Sequence, residues 1–234
     1  MGSDIITEAS AVKSAKISRF VMRYTESNMY VCIEENKALL VDPHPSEDAL
    51  ELLRNHEVGN VTILLTHEHF DHTSGVNWFR ERYPIKLICQ QRSAESIGVA
   101  KNNRPFVFFP MVEDKSEKER KEILAFYDAL PSDAIQADVT FEEACGFFWR
   151  GHRLYLRSCP GHSMGSTLIY FDDVYVFSGD YMIPGTPVIL RFPGGSKKLY
   201  QNNTLPYLLA LDEGCVILPG HGKPYRFDAH DNLV

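Results

Sequence analysis

Three imidazoles and two carboxylates fall within the stretch Thr66-His67-Glu68-His69-Phe70-Asp71-His72. The apolar, β-branched run Val61-Thr62-Ile63-Leu64-Leu65 precedes it and reads as a buried strand. The polar groups therefore collect at the mouth of a strand. That density of nitrogen and carboxylate donors is what a zinc-type centre needs. On an extended ending, residues i and i+2 point to the same side, so the rings of His67 and His69 can approach one cation. Asp71 and His72 follow where the chain bends into a helix, and can face a second cation displaced from the first.

Three later sites share one pattern, in which a strand ends, a glycine turn follows and a ligand type arrives. They are Arg157-Ser158-Cys159-Pro160-Gly161-His162, Phe177-Ser178-Gly179-Asp180 and Ile217-Leu218-Pro219-Gly220-His221-Gly222. Glycine permits the sharp turn and leaves no Cβ between a ligand and its target. A lone Pro-Gly-His is ordinarily a turn with a solvated imidazole, and a lone Asp180 would be a cap. Five of the nine histidines of the chain belong to the combined set, and together these residues point to a metal site. His56, His152 and His230 fit no ligand pattern, and His44 reads as a loop residue. Cys159 reads as a small packing residue, as free cysteines usually are.

The elements that position these groups alternate in type. Strands are expected over Ile17 to Tyr24, Met29 to Glu34 and Ala38 to Val41, the last two joined by a hairpin at Glu35-Asn36-Lys37. Asp42-Pro43-His44-Pro45 stops the sheet, and Ser46 caps a helix running to about His56. After the histidine-rich stretch come a helix (Val76 to Arg82), a strand (Ile85 to Cys89) and a helix (Arg92 to Ala100). The second half repeats the layout, with strands at Phe147 to Trp149, His152 to Arg157, Ser166 to Phe171 and Val174 to Phe177. A helix from Leu199 to Leu211 and a buried strand from Cys215 to Leu218 complete it. Two similar α/β halves packed sheet to sheet, with helices outside, are expected.

Residues 102–137 differ in character. An apolar, proline-bounded piece, Pro105 to Met111, precedes a charged run, Glu113 to Glu122, and then Ile123 to Tyr127. The segment reads as an insertion within a single domain spanning 1–234, with an amphipathic helix in its second part. Plain packing is one reading of it, and a lid or oligomer contact is the other.

Composition narrows the function classes. The chain has 234 residues, 44% hydrophobic and 24% charged, with a net charge of −7. It has the make-up of an ordinary globular domain, without an apolar run long enough to span a membrane. Nucleic-acid binding would want a basic face. The polar start, Met1 to Ala15, does not read as a signal peptide. Five scattered cysteines form no CxxC pair, so a reducing cytoplasm is expected. A homo-oligomer is compatible with all of this.

The order HxHxDH, then His162, Asp180 and His221, resembles the metallo-β-lactamase superfamily over about Ile17 to Pro224. Within it, Cys159 to Ser166, Phe177 to Asp180, Phe192-Pro193-Gly194-Gly195-Ser196 and Pro219 to Gly222 resemble the glyoxalase II-like branch. The resemblance implies an α/β fold, a four-layer αβ/βα sandwich. It implies that His67, His69 and His162 hold a first metal, that Asp71, His72 and His221 hold a second, and that Asp180 bridges both. The cofactors would be two divalent cations, zinc first, with iron or manganese as alternatives. The expected activity is hydrolysis of a small ester, thioester, lactone or phosphoester by a hydroxide shared between the cations. Asp71 and Asp180 are the candidate catalytic carboxylates. Asp42 is a candidate for orienting a ligand imidazole. Tyr181, Arg191 and Lys197 are candidates for touching a small-molecule substrate. The resemblance weighs against β-lactam hydrolysis, because the true zinc β-lactamases lack the bridging Asp. The chain ends at Val234 without the helical domain of glyoxalase II, which weighs against S-lactoylglutathione. Two other readings are a mononuclear iron oxidoreductase of the persulfide dioxygenase type and a non-catalytic metal-binding or interaction protein.

Overall fold

The structure is a computed structural model, and it describes residues 4–6, 15–104 and 115–228. Two mixed sheets face each other. The first holds β1 (Asp4–Ile6), β2 (Ile17–Val21), β3 (Asn28–Glu34), β4 (Lys37–Val41), β5 (Asn60–Leu64), β6 (Ile85–Gln90) and β7 (Val139–Phe141), in that spatial order. Pairing is antiparallel from β1 to β4 and parallel from β4 to β7. The second holds β8 (Ala144–Trp149), β9 (His152–Ser158), β10 (Thr167–Phe171), β11 (Tyr175–Gly179), β12 (Val216–Pro219) and β13 (Tyr225–Arg226). It runs in order from β13 to β8, and β11 and β12 are its parallel pair.

Alternation along the strands sends one set of side chains inward and the other outward. Ile17, Leu39, Val41 and Leu64 of the first sheet meet Leu154, Leu156, Phe171, Phe177 and Leu218 of the second in a buried layer between them. The outward set of the first sheet, including Val31, Leu40, Ile63 and Leu87, is covered by helices. These are α1 (Glu47–Asn55), α3 (Gly75–Arg80) and α4 (Gln91–Ile97), through Ala49, Leu53, Val76, Phe79 and Ile97. The outward set of the second sheet, Leu168, Val176 and Ile217, meets Leu208 from a helical segment. That segment contains α6 (Lys197–Leu199), a π-turn (Tyr200–Thr204) and α7 (Leu205–Leu209). The result is the four-layer αβ/βα sandwich. The Ser46 side chain caps α1 by accepting from the Ala49 amide at 3.2 Å, with Glu47 and Asp48 favourably placed in the first turn.

Several boundaries differ from the sequence expectations. The first long strand stops at Val21 because Tyr24 and Glu26 take left-handed backbone in a tight turn, φ 74° and 57°, closed by the Met22 amide on the Ser27 carbonyl at 2.8 Å. β1 pairs antiparallel with β2, and its three residues are too few to carry an alternating pattern. The helix expected over Leu199 to Leu211 is interrupted by the π-turn just before Pro206, a residue without an amide donor. Within 102–137, α5 (Glu117–Asp128) opens on a capping box between Ser116 and Glu119. The apolar stretch Pro105 to Met111 and the start of the charged run lie outside the described residues. Ile123 and Tyr127 of α5 pack against Met22 and Phe70, so this helix rests beside the histidine-rich stretch.

Candidate metal centre

All seven predicted ligand residues come together at one edge of the sandwich. β5 ends at Leu64 and delivers His67 and His69. The short helix α2 (Phe70–Thr73) carries Asp71 and His72. The loop from β9 to β10 supplies His162, the end of β11 supplies Asp180, and the end of β12 supplies His221.

The donor atoms form two clusters. His67 Nε2 and His162 Nε2 lie 3.1 and 3.0 Å from His69 Nδ1, and Asp180 Oδ2 is 3.3 Å from His162 Nε2. On the other side, Asp180 Oδ1 is 3.3 Å from His72 Nε2 and 3.5 Å from His221 Nε2. Asp71 Oδ2 is 3.5 and 3.4 Å from the same two nitrogens. Each carboxylate oxygen of Asp180 thus faces a different cluster. Bonds of about 2.0–2.1 Å at tetrahedral angles separate ligand atoms by roughly 3.3 Å, so both clusters have the spacing of a cation site. His72 Nε2 and Asp180 Oδ1 are buried with no hydrogen-bond partner among the described residues. Orphaned buried polar atoms are costly, and a cation between them removes the cost. The donor set therefore fits two metals.

The outer nitrogens fix the tautomers. His162 Nδ1–H donates to the Ile189 carbonyl at 2.7 Å, and His221 Nδ1–H to the Thr25 carbonyl at 3.0 Å. His72 Nδ1–H donates to Asp42 Oδ2 at 3.0 Å. Thr66 donates its hydroxyl to the same oxygen at 2.5 Å and its amide to Oδ1 at 2.7 Å, so its hydroxyl accepts from His67 Nδ1–H at 3.0 Å. In all four rings the Nε2 lone pair faces inward. Asp42 therefore holds His72 directly and His67 through Thr66, and it takes a left-handed backbone to do so, φ 54°.

The electrostatics separate the clusters. Burial, aided by neighbouring imidazoles, holds His67 well below its ordinary pKa and His69 down at about 4. Burial also opposes charge on His72, but the carboxylates of Asp71 and Asp180 outweigh it and raise that ring well above its usual range. His221 is raised in the same way, chiefly by Asp180 against its burial. Burial would push Asp180 up, yet His221, His72 and His162 hold it far down. Asp71 is likewise lowered, by His72 and His221 against its burial.

The substrate candidates are placed differently. Tyr181 is buried, its hydroxyl donating to the Cys159 carbonyl at 2.7 Å and accepting from the His162 amide at 2.9 Å. It shapes the His162 loop and does not face the cleft. Arg191 and Lys197 are exposed, outside the residues lining the cleft beside the clusters. His44 is buried under its own loop, with ring nitrogens near the Pro45 and Phe20 carbonyls. The Cys159 thiol is pushed up to about 12 by burial, which removes it as a nucleophile.

Other contributors escaped the sequence reading. Glu68 accepts from Ser163 Oγ at 2.8 Å, Ser93 Oγ at 3.1 Å and the Gly165 amide at 3.4 Å. The alternation that sends His67 and His69 one way sends Glu68 the other, tying the strand end to α4 and to the His162 loop. The cleft itself, about 220 Å³, is lined by Thr25, Phe70, Ile183, Thr186, Ile189 and Phe192 beside His69, Asp71, Asp180 and His221. Apart from Phe70 of α2, the residues between the ligands are loop residues with no periodic signal.

A family model described as the metallo-beta-lactamase superfamily matches residues 23–221. A hydroxyacylglutathione hydrolase of Klebsiella pneumoniae is 26% identical over 188 residues, 78% of this chain, which spans 59% of that protein. YqgX of Bacillus subtilis, described as a probable metallo-hydrolase, is 24% identical over 199 residues, covering 84% of this chain and 85% of that one. Among solved structures, the BLEG-1 B3 metallo-beta-lactamase superposes with a TM-score of 0.70 at 20% identity, covering 92% of this chain and 98% of that one. TTHA1623, solved in a di-iron-bound form, gives 0.66 at 24% identity, with 92% and 97% covered. With histidine and aspartate clusters suited to a metallo-hydrolase at the edge of its sandwich, the chain belongs to the metallo-beta-lactamase superfamily.

Proposed function

We propose that the protein is a dinuclear metal-dependent hydrolase of a small ester, thioester, lactone or phosphoester. The observation that carries this reading is Asp180, whose two oxygens face separate clusters, each 3.3 Å from a histidine nitrogen of its own. His67, His69 and His162 would hold one cation, Asp71, His72 and His221 the other, with Asp180 shared. Zinc suits these nitrogen and carboxylate donors best, and iron or manganese are the alternatives. When bound, such a pair supplies a Lewis acid for the scissile carbonyl or phosphoryl oxygen and a hydroxide at neutral pH.

The protein's own residues do the rest. Asp42, Thr66, Ile189 and Thr25 keep four imidazole lone pairs aimed inward through the hydrogen bonds given above. Asp71 Oδ2, between His72 and His221, can accept a proton from a reacting water and orient it. Phe70, Ile183, Ile189 and Phe192 wall the approach against bulk water. A single-iron oxidoreductase would leave the Asp71–His72–His221 cluster without a use.

The test is a panel of neutral esters, thioesters, lactones and a phosphodiester, offered to protein of measured metal content. Turnover of at least one class is expected, with Asp180→Ala lowering kcat/KM by a factor of about 10² or more, as for loss of a transition-state electrostatic group. Full activity in that variant, on every substrate turned over, would sink the proposal.

A further inference from the structure

The cleft beside the clusters has a chemical character that the metal ligands do not explain. Apart from the cluster residues His69, Asp71, Asp180 and His221, its described lining is Thr25, Phe70, Ile183, Thr186, Ile189 and Phe192. No lysine or arginine is among these. Phe192 stands edge-on to the rings of His69 and His162, with centroids 5.9 and 6.3 Å away, so the apolar wall reaches the reacting centre itself. Arg92 and Arg104 line a separate cleft on the other side of His69 and Phe70, of about 430 Å³. Glu68 and Glu95 line it too, and Arg92 pairs with Glu95 at 2.8 Å, so even there positive charge is matched by negative.

An anionic group held against these walls, away from the clusters, would be taken from water with no cationic side chain among the described residues to meet it, at a cost of several kcal/mol. An alkyl chain in the same place exchanges water for Phe70, Ile183, Ile189 and Phe192. We infer that the group held beside the clusters is the uncharged alkyl chain of an acyl ester or thioester. The inference rests on the hydrolase reading and narrows it by excluding anionic substituents. In the reaction water adds across the acyl bond. The C–O or C–S bond breaks, the acyl carbon takes the hydroxyl, and the leaving oxygen or sulfur takes the proton.

The test uses metal-loaded protein and neutral thioesters of one thiol, with straight acyl chains from acetyl to decanoyl and a succinyl thioester as the anionic control. Burying a methylene contributes about 0.8 kcal/mol, so kcat/KM should rise roughly fourfold per added CH2 until the cleft is filled. Ile183→Gln and Phe192→Ala should each flatten that slope while metal content stays at the wild-type value. A flat wild-type series, or preference for succinyl over butyryl, overturns the inference. If no member is turned over although metal is bound, and the ester, lactone and phosphodiester panel is inert as well, the hydrolase reading fails. The affinities of 1-butanol to 1-octanol, followed by NMR titration of the isoleucine methyls, then decide the inference alone. Affinity rising with length in the wild type and not in Ile183→Gln supports it, and length-independent affinity overturns it.

Discussion

Asp42 lies behind the first ring of donors and still bears on both clusters. Its carboxylate holds His72 directly and His67 through the Thr66 hydroxyl. Asp42→Ala removes an acceptor that fixes two tautomers and leaves a buried His72 N–H without a partner. Outer partners of this kind are worth about 10- to 100-fold in metal affinity or activity. A drop of that order in kcat/KM is expected, with Asp42→Asn retaining part of the activity. A second prediction follows from charge. His67 and His69 are held below their ordinary pKa and need release no proton to accept a cation near neutrality. His72 and His221 are raised in the metal-free chain, so a proton competes with a cation for them at higher pH than for the other two rings. As pH falls, protons therefore compete more strongly for the second cluster. Metal content after dialysis at stepped pH should fall in two stages, with the Asp71–His72–His221 cation leaving at the higher pH. Loss of both cations together would contradict this. At this scale the residues that converge were legible in the sequence, because glycine turns and close spacing mark them. Tyr181 was misread as a substrate contact, since nothing in Gly179-Asp180-Tyr181 shows that the tyrosine turns back under the His162 loop.

Strand ends and the turns after them set the geometry. Gly220 follows β12 and packs directly on the cluster. A Cβ there would collide with Asp180 Oδ1 and come within 2.9 Å of His72 Cε1 and of the Gly179 carbonyl carbon. Gly220→Ala must therefore displace the carboxylate shared by both clusters. The expected outcome is loss of bound metal, of the order of one equivalent or more per chain by elemental analysis, with far-UV circular dichroism unchanged. Retention of full metal content would show that the Asp180 turn is softer than its packing implies. The core strands and α1 could be placed from sequence because β-branched runs and a serine cap announce them. The three-residue β1, the short β13 and the π-turn before Pro206 could not, because backbone pairing and tertiary packing decide them. The helix in the insertion was foreseen, but its seat on Phe70 and Met22 is a long-range contact that no local pattern encodes.

Across the whole molecule, the two sheets meet at the clusters. His67, His69, Asp71 and His72 come from chain that follows a strand of the first sheet, and His162, Asp180 and His221 from chain that follows strands of the second. Neither sheet alone completes a cluster, since Asp180 belongs to both. The layered architecture was legible from the repeated order of elements, whereas the apolar cleft was not, because its walls are drawn from three separate segments of the chain. Catalysis should therefore require the full two-cation assembly.

A requirement for two cations is checked by stripping the protein of metal with a chelator and titrating zinc back while following turnover of the best substrate in the panel. No activity is expected in the stripped protein, followed by a rise that saturates at two equivalents per chain. Saturation at one equivalent, or turnover without metal, would contradict it.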